Sequence, residues 1–117
     1  MGYEVEVNGK LKVNDARAFY KAVKAHDETK EFFEYADFDG KEGQDGIYDL
    51  DDGDKFEIYY SGGLWFEDED IVKTMAKHAT GEIKFVDEDH DAWKYKLNGD
   101  GTYKRFRAKQ KWAEEAA

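Results

Sequence analysis

The chain contains 117 residues, the size of one domain, and its 40% hydrophobic and 16% aromatic content argues against intrinsic disorder. It has no cysteine, which excludes disulfides, thiolate metal sites and a cysteine nucleophile and favours a cytoplasmic location. Its 28 acidic and 18 basic residues give a formal net charge of −10, which disfavours direct binding to nucleic acid or to an anionic membrane. The N-terminus has no signal-peptide pattern, and the apolar runs are too short to predict a membrane span.

The acidic residues are concentrated in the middle of the chain. Residues 27–91 contain 22 acidic and six basic residues, whereas residues 1–26 and 92–117 carry net charges of +2 and +4. A strongly negative segment would attract and steer a basic partner. The alternative is that the acidic residues only keep the protein in solution.

The first predicted element is β-structure over residues 3–13, YEVEVNGKLKV. A hairpin with the three-residue loop Val7-Asn8-Gly9 would place apolar residues on one face and cross-strand ion pairs on the other. One long strand kinked at Gly9 would also place the apolar residues on one face. We favour the hairpin and keep the long strand as the alternative.

Two main helices are predicted, with a short one between them. Asn14 or Asp15 caps the first, whose apolar residues recur at helical spacing. Residues 28–36 form either a short helix or a strand. The last helix begins at the acidic run 67–70 and ends before Gly81, a stop signal.

The remaining segments read as strands joined by tight turns. A hairpin is predicted for Ile47–Leu50 and Lys55–Tyr60, with Gly62-Gly63 ending its second strand. Further strands are predicted at 82–87, 92–97 and 102–107, and the tail 108–117 is compatible with a short helix anchored by Trp112. The sequence therefore predicts one α+β domain over residues 1–117, with an antiparallel sheet of about five to seven strands and two main helices packed on one face.

No catalytic residue or cofactor site is predicted. Ser61 is the only serine and lies outside a nucleophile motif, and no phosphate-binding glycine pattern occurs. Residues 87–91 combine four carboxylates with His90, but neighbouring loop residues do not all point at one ion, and the calcium-loop pattern fails. We predict no metal site, and keep as the rival hypothesis a small metal-dependent enzyme or module centred on this loop.

The acidic middle is the feature with a distinctive physical consequence. Carboxylates at positions i and i+2 of a strand lie on one face about 6.6 Å apart, so rows of them would resemble the phosphates of a nucleic acid. Exposed tyrosine and tryptophan residues would add anchors, since these residues dominate binding hot spots. The predicted partner-binding residues are Asp49, Asp51, Asp52, Asp54, Glu67, Asp68, Glu69, Asp70, Asp87, Glu88, Asp89 and Asp91, with the aromatic residues Tyr59 and Trp65.

A short, cysteine-free and very acidic α+β chain resembles the small phage proteins that block host defences by mimicking DNA, the anti-CRISPR and antirestriction class. The resemblance lies in composition over the whole length and includes no shared motif. It implies a non-enzymatic inhibitor whose partner is a basic surface, such as that of a defence nuclease or another nucleic-acid-binding protein, in the host cytoplasm if the chain is phage-encoded. A housekeeping interaction domain, or a homodimer formed through an edge strand, is the alternative.

Overall fold

A computed structural model describes residues 4–39, 50–108 and 112–114 of the protein. These residues form seven strands: β1 (Glu4–Val13), β2 (Asp37–Asp39), β3 (Lys55–Gly63), β4 (Ala79–Asp87), β5 (Ala92–Asn98), β6 (Tyr103–Ala108) and β7 (Trp112–Glu114). They also form three helices: α1 (Ala16–Ala25), α2 (Asp27–Tyr35) and α3 (Asp68–Ala76). The strands make one antiparallel sheet in the order β2-β3-β1-β4-β5-β6-β7. The predicted α+β class and strand number are confirmed, and α2 is a helix beside the two main ones.

The long strand β1 lies inside the sheet, between β3 and β4. Its register joins Glu4 to Gly63 of β3 and Val5 to Asp87 of β4. Its side chains alternate strictly between exposed and buried along all ten residues, the pattern of a strand with one face on a core. The hairpin favoured from the sequence is wrong and the long strand is right, because β1 pairs with other strands along both of its edges.

Gly9 lies on the buried face of β1, where the side chains of the neighbouring strands meet above it. A Cβ atom at this position would lie 2.9 Å from Cγ1 of Ile58 and 3.4 Å from Cγ1 of Ile83. These isoleucines are its partners in β3 and β4. Gly9 is therefore a packing residue that lets two large side chains approach, and not the turn residue of a hairpin.

The helices α1, α2 and α3 cover the face of the sheet that carries the buried residues of β1. Asp15 begins α1 by accepting a hydrogen bond from the Ala18 backbone N–H at 3.1 Å. His26 begins α2 in the same way, with Nδ1 accepting from the Thr29 N–H at 3.2 Å. The largest buried core side chains come from helices and sheet alike: Phe19, Phe32, Ile58, Ile71, Met75, Ile83, Phe85, Tyr95 and Leu97.

The hairpin predicted around residues 51–54 does not form in the described part of the chain. Residues 47–49 lie outside the described residues, and Leu50 is a buried residue outside any strand. β3 instead pairs with β1 and β2. It also continues through residues 62–63, contrary to the predicted break, because its pairing with β1 extends to the last residue.

Two predictions in the second half of the chain are also corrected. α3 ends at Ala76, and Gly81 lies inside β4 with a φ of +128°. Gly81 therefore serves the close approach of β4 to β1 and does not stop the helix. The tail helix is wrong over residues 112–114, which form β7 beside β6, because this segment continues the antiparallel pairing of the sheet.

The opposite face of the sheet, which we call the open face, has no helix over it among the described elements and carries both signs of charge. Its lysines are Lys10, Lys12, Lys55, Lys84, Lys94, Lys96 and Lys104, and its acidic residues are Glu4, Glu6, Asp37, Asp39, Glu57 and Glu82. Ion pairs join Lys10 to Glu57 at 3.7 Å and Lys94 to Glu82 at 2.9 Å. The charges mix because the strand order places strands from the basic ends of the sequence beside strands from its acidic middle.

Candidate functional site

Two of the three predicted acidic clusters lie at the end of the sheet where β1 begins. β3 ends there at Gly63, opposite Glu4, and the chain leads into residues 67–70 at the start of α3. β4 ends there too, and the Glu88 backbone N–H donates a hydrogen bond to the Glu4 carbonyl at 3.1 Å. We define the acidic end as Glu28 and Glu31 of α2 together with Glu67–Asp70 and Asp87–Asp91.

A carboxylate ties α2 to α3 at the acidic end. An oxygen of Glu28 accepts a hydrogen bond from the backbone N–H of Glu67, the N-cap residue of α3. The Glu67 side chain makes no cap hydrogen bond itself, so Glu28 supplies negative charge where the helix dipole favours it. Together, α2 and α3 with its N-cap contain eight acidic residues and two lysines, which makes this part of the helix layer strongly negative.

Asp68 is turned inward, unlike the exposed residues beside it. Its Oδ2 accepts hydrogen bonds from the Trp93 indole Nε1 at 2.9 Å and from the Tyr95 hydroxyl at 2.7 Å. Burial, and then the hydrogen bond to Asp68, hold the pKa of Tyr95 far above its usual value. Asp68 thus joins α3 to β5, whereas its neighbours Glu67, Glu69 and Asp70 are exposed to solvent.

Residues 87–91 form a turn that is stabilised by hydrogen bonds between its own side chains and backbone. Oδ1 of Asp87 accepts hydrogen bonds from the backbone N–H groups of Asp89 at 2.9 Å and Asp91 at 3.0 Å. His90 takes a φ of 66° in this turn and is exposed. In the described ranges of the chain, no group of three or more His, Asp or Glu side chains could hold a metal ion. Residues 87–91 therefore form a surface turn in which Glu88, Asp89 and Asp91 face solvent.

The third predicted cluster lies at the opposite end of the sheet, beside the start of α1. Oδ1 of Asp52 accepts a hydrogen bond from the Ala16 backbone N–H at 2.7 Å, and Oδ2 of Asp54 accepts one from the Asp51 N–H at 2.8 Å. These residues form a turn, so the predicted row of carboxylates along a strand is wrong for them. Asp49 lies outside the described residues. The cluster caps a helix and closes a turn, away from the acidic end.

The two predicted aromatic anchors lie in different places. Tyr59 is 41% exposed on the open face, whereas Trp65, 43% exposed, lies just before α3. The Tyr35 ring stands against the indole of Trp65, with centroids 6.0 Å apart and planes at 75°. The indole Nε1 donates to the Tyr60 hydroxyl at 3.2 Å, and that hydroxyl donates to the Gly63 carbonyl at 2.6 Å. These bonds fix the orientation of Trp65.

Glu31 and Tyr35 belong to this site, although the sequence analysis does not single them out. With Tyr60, Ser61 and Trp65 they line a depression of about 440 Å³. They lie four residues apart on α2, and both are exposed, whereas Phe32 between them is buried. Tyr35 is 64% exposed. The helical period does not identify it, because Tyr35 follows the buried Phe32 by three residues and such residues are neighbours on one side of a helix.

Comparison with known protein families, with curated proteins and with solved structures found no match to this chain. No helix in the described ranges is both long and apolar enough to cross a lipid bilayer. The acidic end itself offers exposed carboxylates around an orientated aromatic pair. Such a surface can attract positive charge and provide anchoring contact area.

Proposed function

We propose that this chain is a non-enzymatic protein-binding inhibitor that places its acidic end on a basic, nucleic-acid-binding site of a partner protein. The observation that carries the proposal is the convergence of residues 67–70 and 87–91 at one end of the sheet, beside Trp65. Exposed carboxylates there would pair with the lysines and arginines that otherwise neutralise phosphates. The aromatic residues would add contact area at the centre of the interface.

The proposed contact set is narrower than the predicted list of residues, and Tyr59, which lies on the open face, is not part of it. Asp68 and Asp52 accept internal hydrogen bonds, so their carboxylates hold the fold together. The exposed carboxylates of the acidic end are Glu31, Glu67, Glu69, Asp70, Glu88, Asp89 and Asp91. We propose a partner of the defence-nuclease type in the cytoplasm, as for an anti-CRISPR or antirestriction DNA mimic.

The test is displacement of DNA from basic nucleases. A panel of purified restriction and CRISPR nucleases is loaded with fluorescent duplex DNA and titrated with the protein. We expect displacement from at least one nuclease, weakening as salt rises, because the Debye length falls from about 10 Å at 0.1 M to about 3 Å at 1 M. Displacement independent of salt, or none across the panel, would contradict the proposal.

A charge-reversal pair locates the surface. Replacing Glu67, Asp70 and Glu88 by Lys should abolish displacement, because all three are exposed at the acidic end. The control replaces Asp37, Asp39 and Glu57 by Lys, which changes the net charge equally on the open face. If the control variant loses displacement as fully as the acidic-end variant does, the net charge of the protein acts and no defined surface is involved.

A further inference from the structure

Tyr35 and Trp65 form an aromatic corner at the edge of the helix layer. Their near-perpendicular planes, at 75°, make two walls of the depression. The hydrogen bond from Nε1 to the Tyr60 hydroxyl fixes the indole from its edge, and the ring packs against Phe66 at a centroid distance of 5.2 Å. The corner is therefore built before any ligand arrives, and 43% of Trp65 stays exposed.

The lining of the corner favours a cation. Glu31 stands one helical turn before Tyr35, and its carboxylate has no hydrogen-bond or ion-pair partner in the described part of the chain. The faces of indole and phenol rings attract positive charge through their quadrupoles. An anion would be repelled by Glu31 and by the neighbouring carboxylates Glu28 and Glu67.

We propose that this corner receives an arginine side chain of the partner protein, whose guanidinium stacks on Trp65 and pairs with the Glu31 carboxylate. Arginine fits better than lysine because its planar guanidinium stacks on an aromatic face while its N–H groups still reach a carboxylate. The inference rests on the proposed function, because it names the side chain that the basic partner presents.

The experiment follows the indole N–H signals of ¹⁵N-labelled protein by NMR during titration with blocked single amino acids. The probes are N-acetyl-arginine amide, N-acetyl-lysine amide and the neutral analogue N-acetyl-citrulline amide. We expect arginine to shift the Trp65 signal saturably, and citrulline to bind about tenfold more weakly because it lacks the positive charge. The indoles of the other two tryptophans serve as internal references.

Matched variants locate the binding. Tyr35→Ala removes one wall and Glu31→Gln removes the charge, so both should weaken arginine binding. The controls are Tyr59→Ala, an exposed tyrosine of the open face, and Glu34→Gln, an exposed glutamate elsewhere on α2. Urea unfolding midpoints equal to wild type establish that each variant is folded. The inference is overturned if arginine gives no saturable shift, or if lysine or citrulline binds as tightly.

Failure of this inference can be told apart from failure of the proposed function. If Tyr35→Ala and Glu31→Gln displace DNA from a nuclease as well as wild type does, the acidic end still acts and the arginine site is refuted. If wild type displaces no DNA from any nuclease while the arginine probe binds the corner, the proposed function fails instead. Loss of displacement in both variants, with both controls active, supports the inference.

Discussion

At the scale of single residues, some carboxylates of this protein accept hydrogen bonds within the fold and others are exposed to solvent. Asp52 and Asp68 accept hydrogen bonds from groups of the fold, whereas Glu67 and Asp70 point their carboxylates into solvent. A carboxylate that satisfies partly buried donors contributes to stability, because those donors would otherwise lose their water without replacement. An exposed carboxylate contributes mainly to the electrostatic field.

Removing the Asp68 carboxylate should destabilise the fold. In Asp68→Ala, the Trp93 N–H and the Tyr95 O–H lose their acceptor, and we expect the free energy of unfolding to fall by about 2–3 kcal/mol. Asp70→Ala is the control, because it removes an exposed carboxylate from the same helical turn and should cost less than about 1 kcal/mol. Urea unfolding measures both; equal losses would mean that the two hydrogen bonds contribute little.

The raised pKa of Tyr95 makes stability depend on pH in the alkaline range. Below about pH 10, the hydroxyl is protonated in the folded and the unfolded chain alike. Above it, the unfolded chain releases the proton more readily, so stability falls as pH rises. We expect Tyr95→Phe to lose less stability than wild type between neutral pH and about pH 11, measured by urea unfolding. Parallel pH profiles would refute this assignment.

At the scale of elements, the helices α1 and α3 and the strands β4, β5 and β6 follow from local patterns. The caps and stripes of α1 and α3 and the alternation in β5 concern neighbouring residues, so the sequence predicts them. The placement of β1 depends on β3 and β4, which lie some 50 and 75 residues further along the chain. The interpretations of Gly9 as a turn residue and of Gly81 as a helix stop are wrong for the same reason, since a glycine that ends an element and a glycine under a neighbouring strand look alike in sequence.

Gly81→Ala should disrupt the contact between β4 and β1. A Cβ atom at this position would overlap the Lys10 carbonyl, and the φ of +128° disfavours any other residue. Overpacking and backbone strain each cost about 1–3 kcal/mol, so we expect a loss of about 3 kcal/mol or more. Gly63→Ala is the control, since its Cβ would meet nothing within 4 Å, and urea unfolding compares the two. A small loss at Gly81 would show that the strands can move apart.

At the scale of the whole molecule, the fold decides which of the acidic residues lie close together in space. Composition predicts an acidic protein, and two of the three predicted clusters do meet at the acidic end. The third cluster lies at the opposite end of the sheet, where Asp52 accepts a hydrogen bond from the first residue of α1. The spacing of the clusters in the sequence does not predict this separation. Tyr35 and Glu31 join the site only because α2 docks beside α3 through Glu28. Such tertiary neighbours are the part of the site that pattern reading misses.

The central place of β1 also sets when the sheet can be completed. On the ribosome β1 is made before either of its neighbours, and the second of them ends at Asp87, about 4 seconds or more later at about 20 residues per second. Until then, at least one of its hydrogen-bonding edges is open to other nascent chains. One face of β1 carries charged side chains, which disfavour such pairing with other chains. They are Glu4, Glu6, Lys10 and Lys12. The charged side chains of β1 therefore protect this strand until the later of its two partners has been made.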